Sequence, residues 1–177
     1  MRIEIFKKKE KEQFNQFIEE KYGFELKGQI IKQSQDKLRI FTGNLSEHEL
    51  SVLTGTVRVE TAGLYLATWD TTNEEKKEES IRLSFDASFL AKNATKNTID
   101  LNDEQVKTWF QGNDIIIDLD ESLKTNDKSI PHTSQSLAPN TFILLKYKDE
   151  MVGCGKLTSE KDKILNFVPK ERRIKNL

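Results

Sequence analysis

The sequence predicts an α+β protein in two parts: a mixed α/β domain over residues 1–96, then a small β-barrel over residues 97–177. Three observations carry this. A helix-period apolar stripe near the start is followed by strands and short helices, which mixes the two periods in the first half. Short apolar runs then recur at close spacing with few helices between them, a pattern that favours a small barrel over a layered parallel sheet. Between the two groups lies the polar stretch from Lys92 to Asn97, where the boundary is placed.

After a short apolar start at Ile3, Ile5 and Phe6, the run from Lys7 to Tyr22 sets Phe14, Phe17, Ile18 and Tyr22 at three- and four-residue spacing. That is an amphipathic helix, with Gly23 as its stop. Ile30 and Ile31, then Leu38, Ile40 and Phe41, read as a hairpin that leaves through Gly43-Asn44. Ser46 and Glu49 have capping-box spacing, so a short helix is expected to about Leu53, closed by Gly55. Val57, Val59 and Thr61, then Leu64, Leu66 and Thr68, alternate around Ala62-Gly63 and predict a second hairpin. From Asn73 to Ser80 nearly every residue is charged or polar, which predicts a solvated loop. Ile81, Leu83 and Phe85 restore strand alternation, and Phe89, Leu90 and Ala91 suit one or two helical turns.

The second part begins with a strand at Ile99 and Leu101. Asn102 with Gln105 three residues later starts a helix, and Asp103 and Glu104 sit favourably at its positive end. Val106, Trp109 and Phe110 form its apolar face, and Gly112 takes the left-handed position that ends it. A strand at Ile115 to Ile117, a long polar loop from Asp118 to Asn140, and strands at Phe142 to Tyr147, Met151 to Lys156 and Ile164 to Val168 complete the chain. Gly153 and Gly155 interrupt the second of these last strands. A glycine inside a strand marks a bulge or a close approach by another backbone, of protein or of nucleic acid.

Composition narrows the function. The chain holds 28 Lys and Arg against 29 Asp and Glu, so any polyanion binding must be local. From Lys146 onward nine basic residues face five acidic ones, whereas residues 101–140 hold seven acidic against three basic. The positive charge therefore sits at the end, in Lys170, Arg172 and Arg173 above all. A single cysteine, Cys154, gives neither an intramolecular disulfide nor a zinc framework and fits a reducing cytosol. No apolar run approaches the roughly 18 residues that span a bilayer, so a cytoplasmic protein without signal peptide or membrane segment is expected.

Catalysis would need a nucleophile with its base, or a cofactor loop. There is no Gly-x-Gly-x-x-Gly after a strand, no P-loop and no Gly-x-Ser-x-Gly, and the expectation is that the chain is not an enzyme and holds no cofactor. His48 and His132 lack acids or cysteines at ligand spacing, and Asp114, Asp118, Asp120 and Glu121 read as strand-end and loop polarity rather than a magnesium site. Trp69, Trp109 and Phe110 read as core residues rather than base-stacking platforms.

Ile81 to Ile115 resembles the junction in small ribosome-biogenesis proteins that join an α/β pre-PUA domain to a C-terminal PUA domain. Leu101 to Ile115 looks like the opening strand, helix and glycine turn of a PUA domain, and Phe142 to Lys156 like its paired strands ending in Gly-x-Gly. The tail Phe167 to Ile174 is similar to the end of the PUA-like part of archaeal proteins related to Sun-class RNA 5-methylcytosine methyltransferases. The resemblance implies a non-catalytic RNA-binding protein of ribosome assembly or of rRNA or tRNA modification. Carried over position by position, it implies RNA contact at Gly112, Gly153, Gly155, Lys156, Lys170, Arg172 and Arg173. The alternative is a protein adaptor that docks on an assembly factor or an RNA-modifying enzyme.

Overall fold

A computed structural model describes residues 4–70, 80–117 and 137–175. The first part is a five-stranded antiparallel sheet with strands in chain order: β1 (Glu4–Ile5), β2 (Gln29–Lys32), β3 (Lys37–Phe41), β4 (Leu64–Asp70) and β5 (Ser80–Leu83). Helix α1 (Lys8–Tyr22) connects β1 to β2 and sends Phe14, Ile18 and Tyr22 into the core, the three- and four-residue stripe of its sequence. It stops at Gly23, whose N–H donates to the Glu19 carbonyl at 2.9 Å.

Helix α2 (Glu47–Thr56) starts at the expected capping box: the Glu49 N–H donates to Ser46 Oγ at 3.2 Å and the Ser46 N–H to Glu49 Oε2 at 2.8 Å. It does not close at Gly55, which lies inside its last turn; the extended Val57 follows it. Val57 to Thr61 form no strand either. Both edges of β4 are taken, one by β3 and the other by β5, so no ladder is left for a local hairpin partner. Strand β5 is shorter than its alternation, because the Ser84 hydroxyl accepts from the Ala87 N–H at 3.0 Å and turns the chain into the 3-10 turn Ser88–Ala91 before Phe85 can pair.

The second sheet runs in the order β6 (Thr98–Asp100), β8 (Phe142–Tyr147), β9 (Glu150–Leu157), β10 (Lys163–Leu165), β7 (Ile115–Ile116), with β6 parallel to β8 and every other pair antiparallel. Helix α3 (Asp103–Phe110) joins the two edge strands, its first turn capped by Asn102 Oδ1, which accepts from Glu104 and Gln105 N–H at 3.0 and 2.8 Å. Phe167 and Val168 do not extend β10. The ladder ends because Asn166 turns to other partners: its N–H donates to Asp114 Oδ1 at 2.9 Å, and its amide to the Trp109 and Asn113 carbonyls at 2.8 and 2.9 Å.

The two cores share strands β8 and β9 of the second sheet. Leu144, Met151 and Cys154 join Phe14, Ile18, Tyr22, Leu66 and Ile81 in one cluster, whereas Ile143, Leu145 and Val152 join Trp109, Val106 and Ile164 in another. A strand buried on both faces reads as a continuous apolar run, which is what Phe142 to Leu145 is. The stretch between the sheets is itself pinned: Thr95 and Lys96 donate to the Tyr22 carbonyl at 3.0 and 3.1 Å, and the Asn97 amide to the Lys21 carbonyl at 2.6 Å. No helix among the described residues is long and apolar enough to cross a membrane. Ile3, residues 73–79, and Asp118, Asp120, Glu121 and His132 lie outside the described residues.

Candidate nucleic-acid interface

The seven residues singled out above separate into two groups. The first is internal. Gly153 is buried in β9 with φ at +147°, and a Cβ there would stand 2.9 Å from both Cζ2 and Nε1 of Trp109. The indole occupies that space and donates from Nε1 to the Val152 carbonyl at 2.8 Å. Gly155 is buried as well: a Cβ would strike the Ile164 side chain and stand 3.2 Å from the Leu165 carbonyl. The chain that comes close at these glycines is the protein's own, and Trp109 together with β10 explains them both.

Gly112 belongs to the same group. Its φ is +86°, and the guanidinium end of Arg173 covers the place a Cβ would need. Arg173 Nε donates to the Val168 carbonyl at 3.0 Å, and the Ile174 N–H donates to the Phe110 carbonyl at 2.9 Å. Together with Asn166, these bonds fasten the C-terminal segment to the end of α3. Arg173 is half-buried and works as a clamp.

The second group faces outward. Lys170 and Arg172 are exposed in the 3-10 turn Lys170–Arg172, and Lys156 is partly exposed on β9. Lys156 Nζ lies 5.7 Å from the centroid of Phe142, whose ring is 5.9 Å from that of Phe167. The Arg82 guanidinium, from β5 of the first sheet, stacks over Phe167 at 4.7 Å. Arg172 reaches back to Asp86 Oδ1 at 3.0 Å. Cation, ring, ring and cation thus follow one another from Lys156 to Arg82, with Arg172 held nearby by Asp86. Aromatic faces between cations are what unpaired nucleic acid uses, since every base has a face to stack and every nucleotide a phosphate to neutralise.

Arg82, Asp86, Phe142 and Phe167 are the members of this surface that sequence reasoning did not single out. Arg82 leaves a trace, as the charged residue between the apolar Ile81 and Leu83. Its meeting with Phe167 leaves none, because 85 positions separate them in the chain.

Catalytic chemistry finds little support in Cys154. Burial pushes its thiol up to about 12, which keeps it protonated and a poor nucleophile. Tyr22, beside it, is likewise raised well above its ordinary range, first by burial and then by Cys154. Its hydroxyl donates to the Ile81 carbonyl at 2.9 Å. Among the described residues no three His, Cys, Asp or Glu side chains gather where a metal ion could sit. Trp109 is fully buried, Trp69 packs against Phe6, Phe14 and Phe17, and Phe110 meets Phe85 edge-on at 6.2 Å.

A comparison of the chain with curated proteins gave no match. Residues 96–174 match the family model described as the methyltransferase RsmF PUA domain, a span that takes in β6 to β10, α3 and the tail clamped by Arg173. Such a domain implies RNA binding, as in RNA-modification enzymes. The C-terminal part of this chain is a PUA domain related to those of the Sun-class methyltransferases.

Proposed function

We propose that the chain is a non-catalytic RNA-binding protein of ribosome biogenesis or of rRNA or tRNA modification, in which residues 1–96 form a supporting domain for the PUA domain. The match over residues 96–174 carries the reading, and the surface of Lys156, Phe142, Phe167, Arg82, Lys170 and Arg172 supports it with chemistry suited to phosphates and unpaired bases. The protein's contribution is positioning: it holds structured RNA for a partner that assembles or modifies it. Lys and Arg release counterions when they neutralise phosphates, so the affinity falls with salt by a log–log slope of about −0.7 for each phosphate on a single strand. A filter-binding series against total rRNA and tRNA at rising salt tests this. Low-micromolar binding that weakens with salt is the expected result, and its absence at every salt concentration would remove the proposal.

A second reading, as a protein adaptor, draws on the end of α2 and the residue after it, where Val52 and Val57 are each 52% exposed and Leu53 43%. Apolar side chains grouped in this way are commoner at protein interfaces than on free surfaces. Capture of partners that survives nuclease treatment would favour it over direct RNA contact.

A further inference from the structure

A cavity of about 130 Å³ lies between the two parts of the chain, lined by Tyr65, Arg82, Ser84 and Asp86 from the first and by Phe167 and Pro169 from the second, with Trp109 and Cys154 also on its wall. Its size selects an occupant. One ordered water needs only about 10–15 Å³ of such space, while a cavity of about 150 Å³ accepts a benzene ring. At about 130 Å³ the cavity is on the scale of one six-membered ring, and a two-ring purine is larger than it. The lining selects further. Phe167 offers a flat face already backed by the Arg82 guanidinium at 4.7 Å, so one wall is held in place before any ligand arrives. A carboxylate such as Asp86 accepts hydrogen bonds and donates none; Asp86 holds Arg172 through one oxygen and has a second. A pyrimidine edge carries both acceptors and donors, which an apolar ring does not.

The geometry points to this cavity as a pocket for one unstacked pyrimidine base of the bound RNA, with Phe167 and Tyr65 as its aromatic walls, Arg82 behind the Phe167 wall and Asp86 as its polar reader. This rests on the RNA-binding function proposed above and extends it. The backbone of the same strand would run over Lys170 and Arg172 at the rim, so one nucleotide is held by its base and its neighbours by their phosphates. Placing the pocket between the two parts of the chain also gives the first part a role in recognition, since Tyr65, Arg82, Ser84 and Asp86 all precede the PUA span.

Fluorescence anisotropy with labelled dodecamers of uridine, cytidine and adenosine tests it, using wild type, Arg82→Met, Phe167→Ala and, as a charge control outside the cavity, Lys170→Ala. Thermal melts establish that each variant is folded; should Phe167→Ala fail, Arg82→Met keeps the flat aliphatic stem and carries the test alone. The pocket variants are expected to weaken the pyrimidine strands about tenfold, the scale of losing one base stack, and the adenosine strand no more than about twofold. Lys170→Ala weakens all three alike. Equal losses on pyrimidine and adenosine strands would overturn the pocket while leaving RNA binding intact. Failure of the wild type to bind any strand with salt sensitivity would overturn RNA binding and the pocket with it.

Discussion

Strands β3 and β8 are neighbours in length and opposites in environment. In β3, Leu38 and Ile40 enter the first core while Arg39 between them turns outward, its guanidinium donating to the Gly63 and Ala62 carbonyls and to Gln33. In β8, Leu144 enters that same core while Ile143 and Leu145 on either side enter the second. Alternation reports a strand with one core, and a continuous apolar run reports a strand with two. The partner strand β9 shows what the second core demands: a full-length apolar row would leave no seat for Trp109, and Gly153 and Gly155 open one. The boundary drawn at residues 92–97 separates the sheets but not their packing, since the first core is completed by Leu144, Met151 and Cys154 from beyond it.

The severest way to break this contrast is to empty the seat. Trp109→Ala should lower stability by about 3–5 kcal/mol, measured by urea unfolding, since it deletes the largest fully buried side chain and leaves the Val152 carbonyl without its donor. Leu144→Ala comes next at about 3 kcal/mol. Because Leu144 is held in common, hydrogen exchange should quicken at Ile30 and Leu38 as well as at Val152; protection lost in the second sheet alone would mean that the halves unfold independently. Gly153→Ala removes nothing and should still destabilise by about 2 kcal/mol, through the clash with the indole and the positive φ.

Alkaline titration sharpens the contrast at the shared strand. The Cys154 thiol is raised from its ordinary 9.0 to about 12 in the folded protein, chiefly by burial, so below pH 9 its contribution to stability is fully present. As pH rises from 9 towards 12 the unfolded chain releases the proton and the folded one keeps it. Stability should then fall by about 1 kcal/mol per pH unit, with Tyr22 adding a loss of the same sign above pH 10. Cys154→Ala should flatten the early part of that slope. The smallest effects separate two adjacent arginines. Arg173→Ala should lose about 1 kcal/mol by unfastening the tail from the Gly112 turn, whereas Arg172→Ala, whose ion pair with Asp86 is half exposed, should stay within about 0.5 kcal/mol of wild type in melts. The order reverses in RNA binding, where Arg172→Ala should weaken the affinity more than Arg173→Ala does.

Much of the architecture was legible because it is local. The stripe of Phe14, Ile18 and Tyr22, the capping boxes at Ser46 and Asn102, and the left-handed Gly112 are each specified within a few residues, and each stands where the sequence puts it. The expected hairpin from Val57 to Thr68 shows the limit. Alternation in Val57, Val59 and Thr61 satisfied the local rule for a strand, but β4 had already committed both edges to β3 and β5. The interface was legible in part: the outward set of Lys156, Lys170 and Arg172 was visible as a surplus of charge, and the rings and Arg82 that stand among them were not.

By itself, the sequence determined the helices, the order of most strands and the basic end of the chain, because caps, periodicity and charge act over one or two turns. Only the tertiary structure decided who meets whom. It turned two strand glycines into the seat of Trp109, made Arg173 a clamp and left its neighbour Arg172 at the surface, and set Arg82 over Phe167 across 85 residues of chain. Contacts between distant residues depend on which faces the packed sheets share, and no local pattern of residues encodes that.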